Sequence, residues 1–399
     1  MTDSHVTSRA SPAATIPRSV WVLGFVSLFM DVSSELIHSL LPVFMVTSLG
    51  ATMLMVGVVE GVAEATALIV KVFSGTISDH LGKRKGLAVL GYGLGAVSKP
   101  IFALALSVHW VFAARFMDRI GKGIRGAPRD ALVADLTAPE IRGAAYGLRQ
   151  SLDTVGAFVG PLLAVALMLL WAGDFRAVFW FAVVPGVVSV LILVVGVQEP
   201  GTAAGKRTAV SPIRWQTLGE LGRAYWWVVA AGGVFTLARF SEAFLILRAQ
   251  QLGLADAYVP LVLVLMNVVY ALSAYPMGRL ADRMSHHALL CAGLGVLVVS
   301  DLVLALAQGL GMVALGVALW GLHMGMTQGL LATMVAGAAP AQLRGTAFGF
   351  FNLVSGVAML IASVLAGLLW DKLGAAVTFY CGAAFSIVAL MMLGPRRRQ

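Results

Sequence analysis

Residues 115–130, RFMDRIGKGIRGAPRD, constrain this chain more than any other stretch. Arg115, Asp118, Arg119, Lys122, Arg125 and Arg129 recur at steps of three or four, so on a helix they form one charged stripe. In a water-soluble protein such a stripe is an ordinary wet face. Here its flanks read VHWVFAA and ALVADL, and the chain is 59% hydrophobic and only 12% charged, with a mean hydropathy of +0.89. That composition excludes a soluble globular protein. The stripe must lie at membrane depth, where charged side chains persist by facing a protein interior or a watery path and finding partners. A polar cavity inside a helical membrane protein is the first expectation.

At roughly 20 apolar residues per crossing, the 399 residues divide into twelve spans, near 20–47, 53–77, 86–106, 109–134, 142–170, 175–196, 224–247, 258–280, 287–308, 311–336, 343–369 and 374–394. The expected organisation is a disordered cytoplasmic tail at 1–19, a six-helix bundle at 20–197, a cytoplasmic linker at 198–223, a second six-helix bundle at 224–394 and a basic tail at 395–399. The first apolar run is too long for a cleaved signal peptide and no small-residue cleavage site follows it, so it counts as a span. Ser211-Pro212 in the linker reads as a helix start. Cys291 and Cys381 stand alone in spans with no thiol spacing, which argues against a disulfide or thiolate metal site.

The formal charge of +9 is a topology signal and does not point to nucleic acid. Lys83, Arg84, Lys85, Lys206, Arg207, Arg214, Arg223, Arg279, Arg283, Arg344 and the arginines at 396–398 all fall on one side of a twelve-span layout. Little beyond Arg176, Arg248 and Lys372 falls on the other. The positive-inside rule then places both termini in the cytoplasm, with the chain in the inner membrane.

The halves echo each other. GTISDHLGKRK at 75–85 is answered by GRLADRMSHH at 278–287, with Asp282 in the place of Asp79; RGAAYG at 142–147 by RGTAFG at 344–349; and Ser34-Glu35 by Ser241-Glu242. A repeat of whole halves marks a transporter built from two parallel bundles around a midplane site.

Gly75-x-x-x-Asp79-x-x-Gly82-Lys83-Arg84-Lys85 resembles the signature loop of the major facilitator superfamily, and Arg115 resembles that superfamily's span-four arginine motif. Gly147-x8-Gly156-x3-Gly160-Pro161 resembles the span-five motif of its proton-coupled exporters, without the closing Gly-Gly pair. The resemblance covers the whole chain. It implies an all-α membrane protein with twelve transmembrane helices in two six-helix bundles, a monomer, transporting by alternating access. Physically, Asp79 in a tight loop can accept from backbone N–H groups at a helix start and pair with basic neighbours, a latch that opens as the bundles rock. The span-five glycines allow close helix approach, and Pro161 bends the helix.

Inside the membrane, Asp31, Glu35 and His38 share one face of span 1 at i, i+4 and i+7. Two carboxylates and an imidazole suit proton exchange or a borderline divalent cation such as nickel or cobalt. The alternative is that both acids are counter-ions to the span-four arginines while His38 binds a backbone carbonyl. Glu60 and Glu64 repeat the spacing in span 2, followed by Lys71. Arg149 and Asp153 in span 5, and Arg239 and Glu242 in span 7, are spaced for local pairs. An ion-pair network that exchanges partners as the bundles move is the expected mechanism. In span 10, His323 accompanies Met324, Met326 and Gln328, with Asn267 and Tyr270 in span 8 and Asn352 in span 11. Because spans 1, 4, 7 and 10 line the cavity in this architecture, His323 could face His38.

DVSSE in span 1 with DRIGKGIRGAPRDALVAD in span 4 resembles the nickel-resistance permeases of the superfamily, whose members often carry a His-rich tail where this chain ends GPRRRQ. No G-x-x-x-x-G-K-[ST] occurs, so ATP is not the expected driver, and no cofactor is expected. Nor does any nucleophile–base spacing point to an enzyme. The sequence thus predicts a proton-coupled secondary transporter, exporting a divalent metal or, alternatively, drugs or organic anions, with import of a small anionic metabolite as a further alternative. Its partners would be the substrate, protons and the lipid bilayer.

Overall fold

The structure, a computed structural model, describes residues 16–81, 84–198, 215–281, 283–327 and 329–393. Gly82, Lys83, Asp282, Gln328, most of the linker and both chain ends lie outside the described residues, as does the side chain of Asp79. The described residues form fifteen α-helices joined by short 3₁₀ turns. The first half holds α1 (Arg18–His38), α2 (Leu41–Thr47), α3 (Met53–Leu81), α4 (Arg84–Ala103), α5 (Val108–Asp135), α6 (Arg142–Leu170) and α7 (Phe175–Gly196). In the second half come α8 (Arg223–Ala238), α9 (Ala243–Gln251), α10 (Pro260–Ala281), α11 (His286–Leu306), α12 (Leu310–Thr327), α13 (Leu330–Ala338), α14 (Arg344–Leu373) and α15 (Ala375–Leu393).

Fifteen helices make twelve crossings because three spans are broken. Among the described residues, eleven helical segments are long and apolar enough to cross a membrane. The twelfth crossing is α5, which has 28 residues but carries the charged stripe. The apolar runs alone predict that spans 1, 7 and 10 are continuous. Instead, span 1 breaks at Ser39-Leu40 just ahead of Pro42, span 7 breaks between Ala238 and Ala243, and span 10 breaks before α13, where Gly329 takes a left-handed φ of 80°. Broken backbone at membrane depth is tolerated where it is buried in protein or lines a cavity.

Small residues set the helix spacing. A Cβ on Gly156 would lie 2.7 Å from the Leu28 carbonyl oxygen, and one on Gly160 would lie 2.9 Å from Glu35 Cβ, so α6 rests directly on α1. Gly75 has milder surroundings, with Ala127 Cβ at 3.5 Å, and Gly147 has none within 4 Å. The sequence motif therefore marks close packing at Gly156 and Gly160 and not at Gly147. α6 runs on through Pro161 without a break.

The two bundles meet most tightly along α3 and α14. A Cβ on Gly57 would fall 2.2 Å from Ser363 O, and one on Gly367 would fall 2.3 Å from Met53 O. At the same end the Asp371 carboxylate accepts the Met53 and Leu54 N–H groups at 3.0 and 2.8 Å, so an acid of the second bundle caps a helix of the first. Leu40, Leu41 and Phe44 share one apolar core there with Phe244, Trp370 and Phe379. This end is sealed.

Candidate transport site

The sequence GKGIRG in α5 explains how its charges find partners. Gly121 faces α4, where a Cβ would lie 2.5 Å from Gly91 O, and Gly123 faces α3, where it would lie 2.6 Å from Val70 Cβ. With both neighbours drawn in, the stripe meets acids and a lysine on four helices, α1, α3, α4 and α6.

Its first layer is a chain of contacts. Glu35 Oε2 lies 3.3 Å from His38 Nδ1, and His38 Nε2 lies 3.5 Å from Glu60 Oε2. Arg115 donates to Glu60 at 2.7 Å, and Arg119 lies 3.4 Å from Glu64. Asp118 takes a 2.7 Å bond from Lys99, whose ammonium also donates to Ser34 at 3.0 Å. Glu60, Arg115, Asp118 and Lys99 are 0%, 2%, 3% and 1% exposed. Each of these charges thus has an opposite charge in contact, which is what makes it tenable at that depth.

Two further layers follow along α5. Arg125 sits 4.8 Å over the Tyr92 ring and 4.0 Å from Asp31. Arg129 donates to Ser27 at 3.1 Å and joins Asp130, while Arg149 donates to Asp153 at 2.7 Å and lies 3.7 Å from Asp130. At the helix end Arg84 pairs with Asp135 and donates to the Ala131 carbonyl at 3.1 Å.

A cavity of about 720 Å³ opens beside these layers, walled by Lys71, Lys122, Arg129, Asp153, Phe158 and Tyr270 among others. Continuous with it through Glu35, Glu64, Lys122 and Asn267 is a deeper lobe of about 300 Å³, walled also by His38, Arg239, Glu242 and Trp320. The wall residues of the wide part include Lys71 of α3, Lys122 and Asp130 of α5, and Gln150 and Thr154 of α6, which lie in the helix halves away from Met53, Val108 and Leu170, with Asp31 of α1 and Tyr270 of α10 completing it. The cavity therefore widens away from the sealed end.

The model of the Major Facilitator Superfamily matches residues 23–254 and again 228–399. An uncharacterized MFS-type transporter of Methanocaldococcus jannaschii is 32% identical over 386 residues, covering 95% of this chain and 94% of its own length. The chain belongs to the major facilitator superfamily. Multidrug resistance protein MdtH of Cronobacter sakazakii is 27% identical over 338 residues, covering 83% of this chain and 79% of that protein. Among solved structures, the human organic anion transporter MFSD10 has a TM-score of 0.64 at 20% identity, covering 94% of this chain and 99% of that one. A POT family transporter in complex with 5-aminolevulinic acid has a TM-score of 0.77 at 14% identity, covering 94% and 96%. The structural likenesses carry the fold alone.

Two local expectations for this major facilitator are corrected by the geometry. Arg239 and Glu242 do not pair: the helix breaks between them, so the i, i+3 register is lost, and Arg239 lies 5.7 Å over Phe235 instead. Neither makes an ion pair with any described residue. His323 does not face His38 across the cavity. It is fully buried, bonded to the Gly293 carbonyl at 2.8 Å and packed 5.6 Å from Phe235. His38, for its part, contacts carboxylates and not a backbone carbonyl. No group of three or more His, Cys, Asp or Glu side chains among the described residues is arranged to hold a metal ion.

Three residues escaped the sequence reading. Lys99 completes the α4–α5 contact, Asp130 links two arginines, and Asp301 lies buried in the second bundle. Lys99 and Asp301 each had a readable signal, a single charge inside an otherwise apolar span.

Proposed function

We propose that this transporter is a proton-coupled exporter working by alternating access, whose cargo joins an apolar body to an acidic group. One observation carries the reading. Lys122 of α5 and Arg239 at the span-seven break both face the deep lobe, one from each bundle, and neither has an ion-pair partner among the described residues. A bound carboxylate or phosphate would supply that partner and engage both bundles at once. Phe240, Leu263, Trp320 and Met359 give the same lobe an apolar wall. The name of one relative, a multidrug resistance protein, agrees with a cargo that has an apolar body.

Glu242, facing the lobe without a cation in contact, and Glu35, bonded to His38, are the groups that would exchange protons with the cavity. When cargo leaves on the far side, a proton entering from that same side would neutralise a carboxylate and allow the empty bundles to rock back. The positive-inside distribution supports both termini in the cytoplasm of an inner membrane, an orientation in which the wide mouth of the cavity faces the cytoplasm. The span-five motif favours export, and the chain acts as a monomer. A divalent cation such as nickel or cobalt would find one imidazole, His38, already engaged by two glutamates, while His323 is turned to Gly293.

Everted vesicles loaded with acid and containing this protein test the reading. Amphiphilic organic acids should drain the proton gradient. Drainage by nickel or cobalt alone would return the assignment to metal export, and drainage by organic cations alone would remove the role given to Lys122 and Arg239.

A further inference from the structure

Asp301 is the one carboxylate among the described residues that is fully buried and has no bonding partner on either oxygen. It stands on α11 against α15, at a place made for it by Gly382. A Cβ at that glycine would lie 2.8 Å from Asp301 Oδ2 and 3.0 Å from Phe240 Cε1, so the carboxylate and the edge of the Phe240 ring meet over the bare backbone. Phe240 belongs to the span-seven break. One side of it walls the deep lobe of the central cavity, and another walls a void of about 10 Å³ shared with Thr378, Cys381 and Gly382. Such a void is of the order of a single water.

The charged and titratable groups on the packed elements are otherwise engaged. Arg248 of α9 donates to the carbonyls of Leu304 and Ala307 at 3.1 and 2.8 Å and to Gln251 at 2.9 Å. Arg239 lies over Phe235, His323 of α12 is held by Gly293, Glu242 faces the central cavity, and α15 contributes the Cys381 thiol and an exposed Tyr380. No lysine or arginine among the described residues pairs with Asp301. An ionised carboxylate so placed would be a desolvated charge with nothing to compensate it. Binding a proton removes that charge.

The geometry points to Asp301 as a proton-binding site of the second bundle, separated from the central cavity by the Phe240 ring. Movement of the span-seven break swings Phe240, admits cavity water to the void beside Gly382, and lets a proton reach or leave one carboxylate oxygen. No other bond changes. The role in coupling rests on the proposed proton-driven transport, whereas the protonation itself does not.

Infrared spectroscopy of the purified full-length protein in lipid discs tests this without any cargo. The wild type should show the carbonyl-stretch band of an unionised carboxylic acid that Asp301→Asn lacks, with unfolding temperatures matched to show that the variant folds. Its shift on transfer to heavy water should come several-fold faster in Phe240→Ala, because the barrier ring is gone. Identical bands in wild type and Asp301→Asn would overturn the proton site, and identical exchange rates would overturn the gate. A failed cargo assignment in the vesicle assay leaves both readouts standing, so the two failures are distinguishable.

Discussion

The two bundles repeat one plan and use charge in opposite ways. In the first, spans 1, 2, 3 and 4 knit Glu35, His38, Glu60, Arg115, Glu64, Arg119, Asp118 and Lys99 into one connected set, and span 4 runs unbroken for 28 residues. In the second, spans 7 and 10 are both broken, and Arg239, Glu242 and Asp301 stand without ion-pair partners among the described residues. A connected network resists rearrangement, because every shift breaks several charge contacts in low dielectric. Isolated charges beside broken helices can change surroundings singly. The contrast agrees with the proposed mechanism, in which the first bundle holds its geometry and the second rearranges with cargo and protons.

Removing Arg115 should have the largest effect. Arg115→Ala leaves Glu60 buried beside His38 alone, a loss of about 3–5 kcal/mol that should appear as a lowered unfolding temperature in detergent. Arg239→Ala, losing a cation with no ion-pair partner, should unfold near the wild-type temperature and lose transport instead. Equal destabilisation by the two substitutions would break the comparison. Arg119→Ala belongs with the first kind: it frees Glu64 and should stop transport in protein that still inserts, and normal transport by that variant would refute the network's role.

The sealed end offers a second contrast. Gly367→Ala places a Cβ against Met53 O, backbone that cannot yield, and should cost about 1–3 kcal/mol, weakening closure where α3 meets α14. Asp371→Ala removes only the cap on the Met53 and Leu54 N–H groups and should cost about 1 kcal/mol. Labelling of cysteines introduced near that end should rise in both, more in Gly367→Ala.

Much of the first bundle was legible because its partners sit on single helices at helical spacing. Arg149 with Asp153, the two glutamates of span 2 and the six-residue stripe of span 4 all declare a shared face. What spacing does not carry is contact between helices. That Lys99 would meet Asp118 depended on Gly91 and Gly121 letting two backbones approach. The second bundle was harder to read because its breaks reset helical phase: Arg239 and Glu242 are one turn apart on paper and in different segments in space. His323 was misplaced for a related reason, since its face on α12 is fixed by packing against Gly293 on α11.

Smaller effects sharpen the same contrast. Glu35→Gln should flatten the pH dependence of transport while leaving Arg115 and Glu60 paired; an unchanged pH profile would remove Glu35 from the coupling. His323→Gln, able to keep the Gly293 contact, should leave export of an organic acid near the wild-type rate and should not alter any response to nickel.

The measurement closest to the central claim is cargo-driven proton release from acid-loaded everted vesicles, comparing wild type with Lys122→Gln and Arg239→Gln on an amphiphilic acid and on its uncharged ester. The account predicts that the acid drains the gradient in the wild type, that each variant loses most of that response, and that the ester is a poor cargo throughout. Full response to the acid in both variants would contradict it, since the two cations facing each other from opposite bundles would then bind nothing.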